Sequence, residues 1–309
     1  MRLLARAPAL LAPLLLAMPA STDAQGPIGL LVVAHGADSL WNQGVLETMA
    51  QVRWSEGPKA TAFLMGPEAS TRGWSDGVRS LVAQGAARIV VVPLMVSSAG
   101  AHFRQIEYYA GARDRLPPGL EAHDHVGTPP RPVPMEVAAA LDDAPELGAV
   151  LAERIAVLAG RESPRAVMLV AHGPSSDEDA RTWRNNLARA IGPLASSLNL
   201  RLGIGLLRDD APASIRAAAV LDTRTQIERM HRETGDSVLV VPVLVSSGRI
   251  GRVTIPTDLA DLPIRYTPAA LTPSPALARW IERVGFERGT GGRLAGGDPG
   301  GLRGAEPYR

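Results

Sequence analysis

The chain has 309 residues, of which 46% are apolar, 20% charged and 4% aromatic. This composition is typical of a globular protein whose core is built mainly from aliphatic side chains. The formal net charge of +1 gives no reason to expect nucleic acid or another polyanion as a partner. Because the chain has no cysteine, disulfides, thiolate metal sites and cysteine catalysis are excluded, and a metal site has to use histidine, carboxylate, methionine or backbone ligands.

The N-terminal segment has the pattern of a secretory signal. Arg2 and Arg6 precede an apolar run at residues 7–20, which is short for a membrane span. Small side chains at Thr22 and Ala24 suit cleavage by a signal peptidase. We predict that residues 1–24 are a signal peptide, that the mature protein is exported to the periplasm, and that it keeps no stable membrane span. An uncleaved anchor is the alternative.

Two blocks of sequence occur twice in the same order, which indicates an internal duplication. The block at residues 28–36, IGLLVVAHG, recurs as AVMLVAHG at residues 166–173. The block at residues 89–98, IVVVPLMVSS, recurs as VLVVPVLVSS at residues 238–247. Each block is a continuous apolar run, typical of a strand that is buried on both faces of a parallel sheet.

The segments between these blocks predict an α/β fold. They contain helical patterns and one shorter apolar strand in each half, so that strands and helices alternate. This alternation predicts a doubly wound parallel sheet in each of two lobes. The predicted helices are 44–53, 76–84, 179–191 and 213–234, and the predicted strands between them are 60–65 and 202–207. The predicted lobes are residues 25–135 and 136–288, which meet in a proline-rich region, and residues 289–309 are predicted to be a disordered, glycine-rich tail.

Histidines follow two of the predicted strands in the first lobe. His35 and Gly36 end the first strand, and a run of small residues leads from the later strand to His102. Ligands bind at the carboxyl ends of strands in open parallel sheets, so the two imidazoles are expected to converge on one crevice if the strands are neighbours. Imidazole is the commonest metal ligand and the side chain best suited to carry protons near neutral pH.

This arrangement resembles the class II chelatase family, which includes the sirohydrochlorin cobalto- and ferrochelatases. The resemblance is carried by the strand ending in His35-Gly36, the helix end Ala83-Gln84-Gly85-Ala86, the Val-Val-Pro strand and the small-residue loop that ends in His102. It covers residues 28–126 well and residues 166–283 more loosely. It implies two flavodoxin-like lobes and the insertion of a divalent metal, Co²⁺ or Fe²⁺, into a sirohydrochlorin-type tetrapyrrole. Metal and macrocycle are then the substrates, and no organic cofactor is implied.

The resemblance also implies roles for individual residues. His35 and His102 would be the catalytic residues and metal ligands, one delivering the metal and the other accepting protons. The residues implied to bind the tetrapyrrole are Gly36, Ser97, Ser98, Gly100 and Arg104, with Arg249 and Arg252 as further candidates to pair with its carboxylates.

The chain departs from the family pattern at two positions. Members often carry a glutamate after the middle strand, where this chain has Met65, and Glu68 is near but not aligned. The second lobe keeps His172 but has Gly251 where His102 would recur, so we expect this lobe to form a wall of the cleft. These departures leave an alternative open, a non-catalytic exported carrier that binds metal or tetrapyrrole with the same histidines.

Three other patterns in the sequence would indicate a different function. His123 and His125 are spaced to chelate a metal on an extended segment, but a polar loop is the simpler interpretation. The sequence Gly73-Trp74-Ser75-Asp76-Gly77 matches a serine hydrolase motif, but a polar segment separates it from the preceding strand. A histidine phosphatase would carry an arginine before the strand-end histidine, and this chain has alanine there.

Overall fold

The computed structural model describes residues 26–120 and 126–291, which form two lobes, each built on a four-stranded parallel sheet. The predicted signal peptide, residues 1–24, lies outside the described residues, as do His123 and His125. None of the helices in the described ranges is long and apolar enough to cross a membrane.

The first sheet has the strand order β2-β1-β3-β4. Its central strands consist of Ile, Leu and Val residues that are almost completely buried, because helices cover both faces of the sheet. The side chain of Asp38 caps α1 by accepting a hydrogen bond from the backbone N–H of Trp41, and Gly111 ends α3 in the left-handed conformation. The strands and helices of this part of the chain are β1 (Ile28–Ala34), α1 (Ser39–Gln51), β2 (Lys59–Phe63), α2 (Trp74–Ala83), β3 (Arg88–Pro93), α3 (Ala101–Ala110), β4 (Met135–Val137) and α4 (Pro145–Ala159).

The second sheet repeats the first, with the order β6-β5-β7-β8. This shared order, with the first strand of each lobe between the second and the third, confirms the predicted flavodoxin-like lobes and their origin in a duplication. Helix α7 follows a short π-helix at Ile250–Thr254. The strands and helices of this part are β5 (Ala166–Ala171), α5 (Asp177–Ser197), β6 (Arg201–Leu206), α6 (Ala213–Thr234), β7 (Val238–Val243), α7 (Ile255–Asp258), β8 (Ile264–Tyr266) and α8 (Pro275–Thr290).

The lobes exchange their last helices. Helix α4 follows the first sheet in the chain but packs against β7, whereas α8 follows the second sheet and packs against β1, β3 and β4. Gly285 of α8 lies so close to β1 that a Cβ at this position would approach the side chain of Leu30 to 3.1 Å. The two exchanged helices contact each other, and Glu146 of α4 accepts two hydrogen bonds of 2.8 Å from Arg283 of α8. Each lobe is therefore completed by a helix that follows the other lobe's sheet.

One aliphatic core joins the lobes. It lies between the two sheets and contains side chains of β1, β3, β5 and β7 together with those of α1, α4, α5 and α8. Smaller cores lie on the outer faces, under α2 and α3 in the first lobe and under α6 in the second. Because the shared core is the largest, the two sheets and the cleft at their carboxyl ends form one body.

Three predicted boundaries differ from the structure or stay untested. Helix α8 continues to Thr290 and ends at Gly291, so the predicted tail does not begin at residue 289, and residues 292–309 lie outside the described ranges. The predicted division of the lobes between residues 135 and 136 falls inside β4, and it stays a prediction. Helix α6 has the predicted bounds, whereas α5 extends to Ser197, beyond its predicted end at residue 191.

Candidate active site

His35 directly follows β1 at the carboxyl edge of the first sheet. Its Nδ1 lies 2.9 Å from the carbonyl oxygen of Gly36. Because a carbonyl only accepts hydrogen bonds, the proton of the neutral ring is assigned to Nδ1 and the lone pair to Nε2. Gly36 has φ = 84°, and a Cβ there would lie 2.2 Å from the carbonyl oxygen of Met65. Glycine is thus required where the chain after β1 passes the chain after β2.

His102 lies beside His35. The ring centroids are 4.7 Å apart and the ring planes are inclined by 85°. His102 is the second residue of α3, whose N-cap residue is Gly100, and does not lie at the end of a loop as predicted. The expected convergence of the two imidazoles is present, because β1 and β3 are neighbours in the sheet.

Gln105 orients the ring of His102. Its Oε1 lies 3.0 Å from Nδ1 of His102, and its Nε2 donates a 2.9 Å hydrogen bond to the hydroxyl of Tyr109. Since the amide oxygen only accepts, Nδ1 of His102 carries the proton and Nε2 carries the lone pair. Both histidines therefore have the tautomer that coordinates a metal through Nε2, held in each case by a hydrogen bond to the opposite ring nitrogen.

The environment of His35 keeps its ring neutral. Burial, followed by the charge of His102, lowers the pKa of His35 from 6.5 to about 4, although the hydrogen bond to Gly36 opposes this shift. The charge of His172 lowers the pKa of His35 further. Near pH 7 the Nε2 lone pair of His35 is therefore available to a metal and is not occupied by a proton.

His172 and Asp210 bring a second pair of polar groups to the cleft. The Nδ1 of His172 lies 2.7 Å from the carbonyl oxygen of Gly173, and its Nε2 lies 3.2 Å from Oδ2 of Asp210. His172 directly follows β5, and Asp210 follows β6, the edge strand beside β5. The sequence interpretation left the role of His172 open and did not single out Asp210. The lobe predicted to form only a wall thus contributes a hydrogen-bonded histidine–carboxylate pair.

The charges of the second-lobe pair and of the first-lobe histidines influence one another. Burial lowers the pKa of His172, but the hydrogen bond and the charge of Asp210 outweigh burial and raise it overall. The hydrogen bond from His172 lowers the pKa of Asp210 despite burial, and the charges of His102 and His35 lower it further. His35 and Asp210 therefore each respond to charges on the opposite lobe, as expected for groups that face one cleft.

The serines predicted to bind the tetrapyrrole are held by Asp142. The hydroxyl of Ser97 donates to Oδ1 of Asp142 at 2.9 Å, and the hydroxyl of Ser98 donates to Oδ2 at 2.6 Å. Asn186 of α5 donates a further 2.7 Å hydrogen bond to the same carboxylate. The serines therefore fix the loop that leads to His102, and their contact with a substrate stays a prediction.

Two of the three predicted substrate-binding arginines, Arg104 and Arg252, lie in ion pairs between the lobes. Arg104 of α3 makes a bidentate contact with Asp179 of α5, with N–O distances of 2.5 and 3.0 Å. Arg252 lies 2.9 Å from Asp38 at the start of α1. Each pair joins an arginine after the third strand of one lobe to an aspartate at the first helix of the other lobe. Arg104 thus has a structural partner, and its predicted binding of a substrate carboxylate stays a prediction.

Within the described residues, the histidine pair of the first lobe is not part of a larger group of histidine and carboxylate side chains that could hold a metal. In residues 26–120 and 126–291, no group of three or more histidine, aspartate or glutamate side chains is arranged to hold a metal ion. Glu68, the carboxylate nearest in sequence to the family's glutamate position, lies 3.9 Å from Arg72 instead.

The chain is similar to known proteins in sequence and in fold. Residues 29–158 match the family model CbiX. Two solved structures share the fold. One is SirB from Bacillus subtilis with Fe³⁺, with a TM-score of 0.57, 19% sequence identity, and coverage of 85% of this chain and 95% of that chain. The other is the multi-domain protein DR2241 from Deinococcus radiodurans, described as structurally similar to chelatases, with a TM-score of 0.56 and 12% identity.

The alignment with DR2241 covers 87% of this chain but only 56% of that protein, which has two additional domains. No curated protein sequence matches this chain. The CbiX match includes both His35 and His102, and it supports metal chelation in a tetrapyrrole as the kind of activity. The predicted resemblance to the class II chelatases is confirmed: the chain has the two-lobed fold of the chelatase structures, and its residues 29–158 match the CbiX family model.

Proposed function

We propose that this protein inserts a divalent metal, Co²⁺ or Fe²⁺, into a sirohydrochlorin-type tetrapyrrole, with His35 and His102 at the reacting centre. The observation that carries the proposal is the contact of two imidazoles at 4.7 Å, each with its Nδ1 hydrogen-bonded to an oxygen acceptor. Both Nε2 atoms then carry lone pairs, which is the arrangement that metal coordination requires.

Metal insertion needs a site that holds the ion and then gives it up. Two imidazoles provide fewer ligands than a closed structural site, which usually has four. The remaining positions on the ion are open to water and then to the macrocycle nitrogens, so the ion can pass from protein to substrate without losing all its ligands at once. The incomplete ligand set of the described residues therefore suits a metal that is a substrate.

We further propose that the mature protein works outside the cytoplasm, in the periplasm. The support is the pattern of residues 1–24, in which two arginines precede an apolar run and small residues follow. Export is tested by N-terminal sequencing of the protein from a periplasmic fraction, which is expected to give a chain that begins at Gln25.

The activity is tested by mixing purified protein with sirohydrochlorin and Co²⁺ or Fe²⁺ and following the absorbance of the macrocycle. We expect many insertions per protein molecule, and loss of the activity in His35→Ala and in His102→Ala. His231→Gln is the matched control, because it removes a histidine of α6 that does not face the cleft. Insertion at the spontaneous rate by the wild type would contradict the proposal.

The insertion assay, together with binding measurements, separates an enzyme from a carrier. A carrier would bind metal or macrocycle stoichiometrically, lose this binding in the two alanine variants, and never accelerate insertion. Isothermal titration of the wild type with Co²⁺, and separately with sirohydrochlorin, measures the stoichiometry.

A further inference from the structure

The pair of His172 and Asp210 connects the interior of the cleft with solvent. The side chain of His172 is 27% exposed, whereas that of Asp210 is 68% exposed. The carbonyl of Gly173 fixes the His172 ring at Nδ1, so that the other nitrogen, Nε2, is directed to the Asp210 carboxylate at 3.2 Å. A proton on Nε2 is thus one hydrogen bond away from an oxygen atom in contact with bulk water.

We propose that His172 accepts the protons that the metal displaces from the macrocycle, and that Asp210 positions His172 and passes these protons to water. This inference rests on the proposed function and refines it. The first-lobe histidines hold the metal, and the second-lobe pair removes the protons.

The proton balance of the reaction is complete with this pair. A divalent metal replaces two pyrrole N–H protons, and no oxidation or reduction takes place. Because both ring nitrogens face oxygen acceptors, the resting His172 is an imidazolium, and it first loses its Nε2 proton to water through the carboxylate of Asp210. The Nε2 lone pair that this exposes takes the first macrocycle proton and passes it to Asp210 in the same way. Transfer of this proton from Asp210 to water leaves the ring neutral again. The neutral ring then takes the second macrocycle proton.

The first-lobe histidines are less suited to this task. A proton on His35 would be buried beside the ring of His102 and beside the incoming metal cation, and burial already lowers the pKa of His35 to about 4. His172 instead has a carboxylate partner that stabilises its charged form, and its pKa is raised. Asp209, the other carboxylate after β6, accepts a 2.9 Å hydrogen bond from Arg216, so it is already paired.

The test uses the purified protein with the variants His172→Gln, Asp210→Asn and Asp210→Glu. Steady-state insertion of Co²⁺ into sirohydrochlorin gives kcat and KM, and isothermal titration with Co²⁺ alone gives the metal affinity. We expect His172→Gln to lower kcat by about 100-fold or more, as for loss of a general base. Asp210→Asn is expected to lower kcat by about tenfold or more, as for loss of a residue that orients a histidine, and Asp210→Glu to recover much of this loss. KM and the Co²⁺ affinity are expected to stay within about twofold of the wild type.

The matched controls are His231→Gln and Asp236→Asn. Asp236 precedes β7, at the edge of the sheet opposite to the cleft, and its side chain is 47% exposed. Both controls are expected to keep the wild-type kcat. Because the side chain of Asp210 is exposed, its substitutions are expected to leave the fold intact, and urea unfolding of each variant checks this separately from the Co²⁺ affinity.

Three results would overturn the inference. A wild-type kcat in His172→Gln would show that the ring takes no part in proton transfer. A loss of Co²⁺ affinity in both His172→Gln and Asp210→Asn would make the pair part of the metal site instead. Absence of insertion by the wild type would overturn the proposed function and this inference together, whereas the first two results would leave the proposed function standing.

Discussion

Acidification is expected to destabilise the folded protein through His35, and the variant His35→Gln isolates this effect. The unfolded chain binds a proton at the ordinary histidine pKa of 6.5, whereas burial and the charge of His102 lower the pKa in the folded state to about 4. A lowered pKa in the folded state gives stability that is present above pH 6.5 and is lost as the pH falls towards 4. Between these values the unfolded state binds more protons than the folded one.

The size of the effect follows from the two pKa values. At pH 5 the unfolded histidine is almost fully protonated and the folded one is about one-tenth protonated, which corresponds to a loss of about 2 kcal/mol relative to pH 8. The loss approaches about 3 kcal/mol below pH 4. Urea unfolding at pH 8 and at pH 5 gives the loss of unfolding free energy for the wild type and for His35→Gln. The difference between these two losses is the contribution of His35. The wild type is expected to lose about 2 kcal/mol more than the variant over this interval.

The control is again His231→Gln, which leaves His35 in place and is expected to lose as much free energy of unfolding on acidification as the wild type. Equal losses in wild type and His35→Gln would refute the argument, because they would show that the buried ring binds protons in the folded state as readily as in the unfolded one.

Two further substitutions test the geometry around the pair. Gln105→Leu removes the acceptor at Nδ1 of His102, and we expect the Co²⁺ affinity to fall by about 10- to 100-fold in an isothermal titration, whereas an unchanged affinity would show that the ring does not depend on this amide. Gly36→Ala places a Cβ against a backbone carbonyl in a left-handed conformation, and we expect a loss of about 1–3 kcal/mol or more in urea unfolding. A fully stable Gly36→Ala protein would show that this turn tolerates a side chain.

Much of the fold is predictable because the strands of the two lobes have recognisably similar sequences. Each central strand is buried on both faces, so it appears in the sequence as an unbroken aliphatic run, and the two copies confirm each other. The exchange of α4 and α8 is not predictable in the same way. The surface that each helix covers, such as Leu30 beneath Gly285, is far away in sequence and belongs to the other lobe. A helical pattern in the sequence identifies the apolar face of a helix, but it does not identify the sheet against which that face packs.

The sequence predicts the site residues that follow the strands of the first lobe. It does not predict Gln105, which lies on a helix, or Asp210, which lies in the second lobe. His35 and His102 were found because the carboxyl ends of parallel strands meet at one edge of a sheet. Gln105 was missed because α3 was not predicted, and only a helix places Gln105 next to His102, three residues earlier. Asp210 had a usable signal, since two aspartates follow the predicted strand at residues 202–207. Applying the strand-end argument to the second lobe as well as to the first would have identified it.

The central claim, that His35 and His102 together hold the metal substrate, is tested most directly by a crystal structure of the protein soaked with Co²⁺, with data collected on either side of the cobalt absorption edge. The account predicts an anomalous peak between the two rings, about 2.0–2.2 Å from Nε2 of each. A cobalt ion bound instead by His172 and Asp210, with none between His35 and His102, would contradict it.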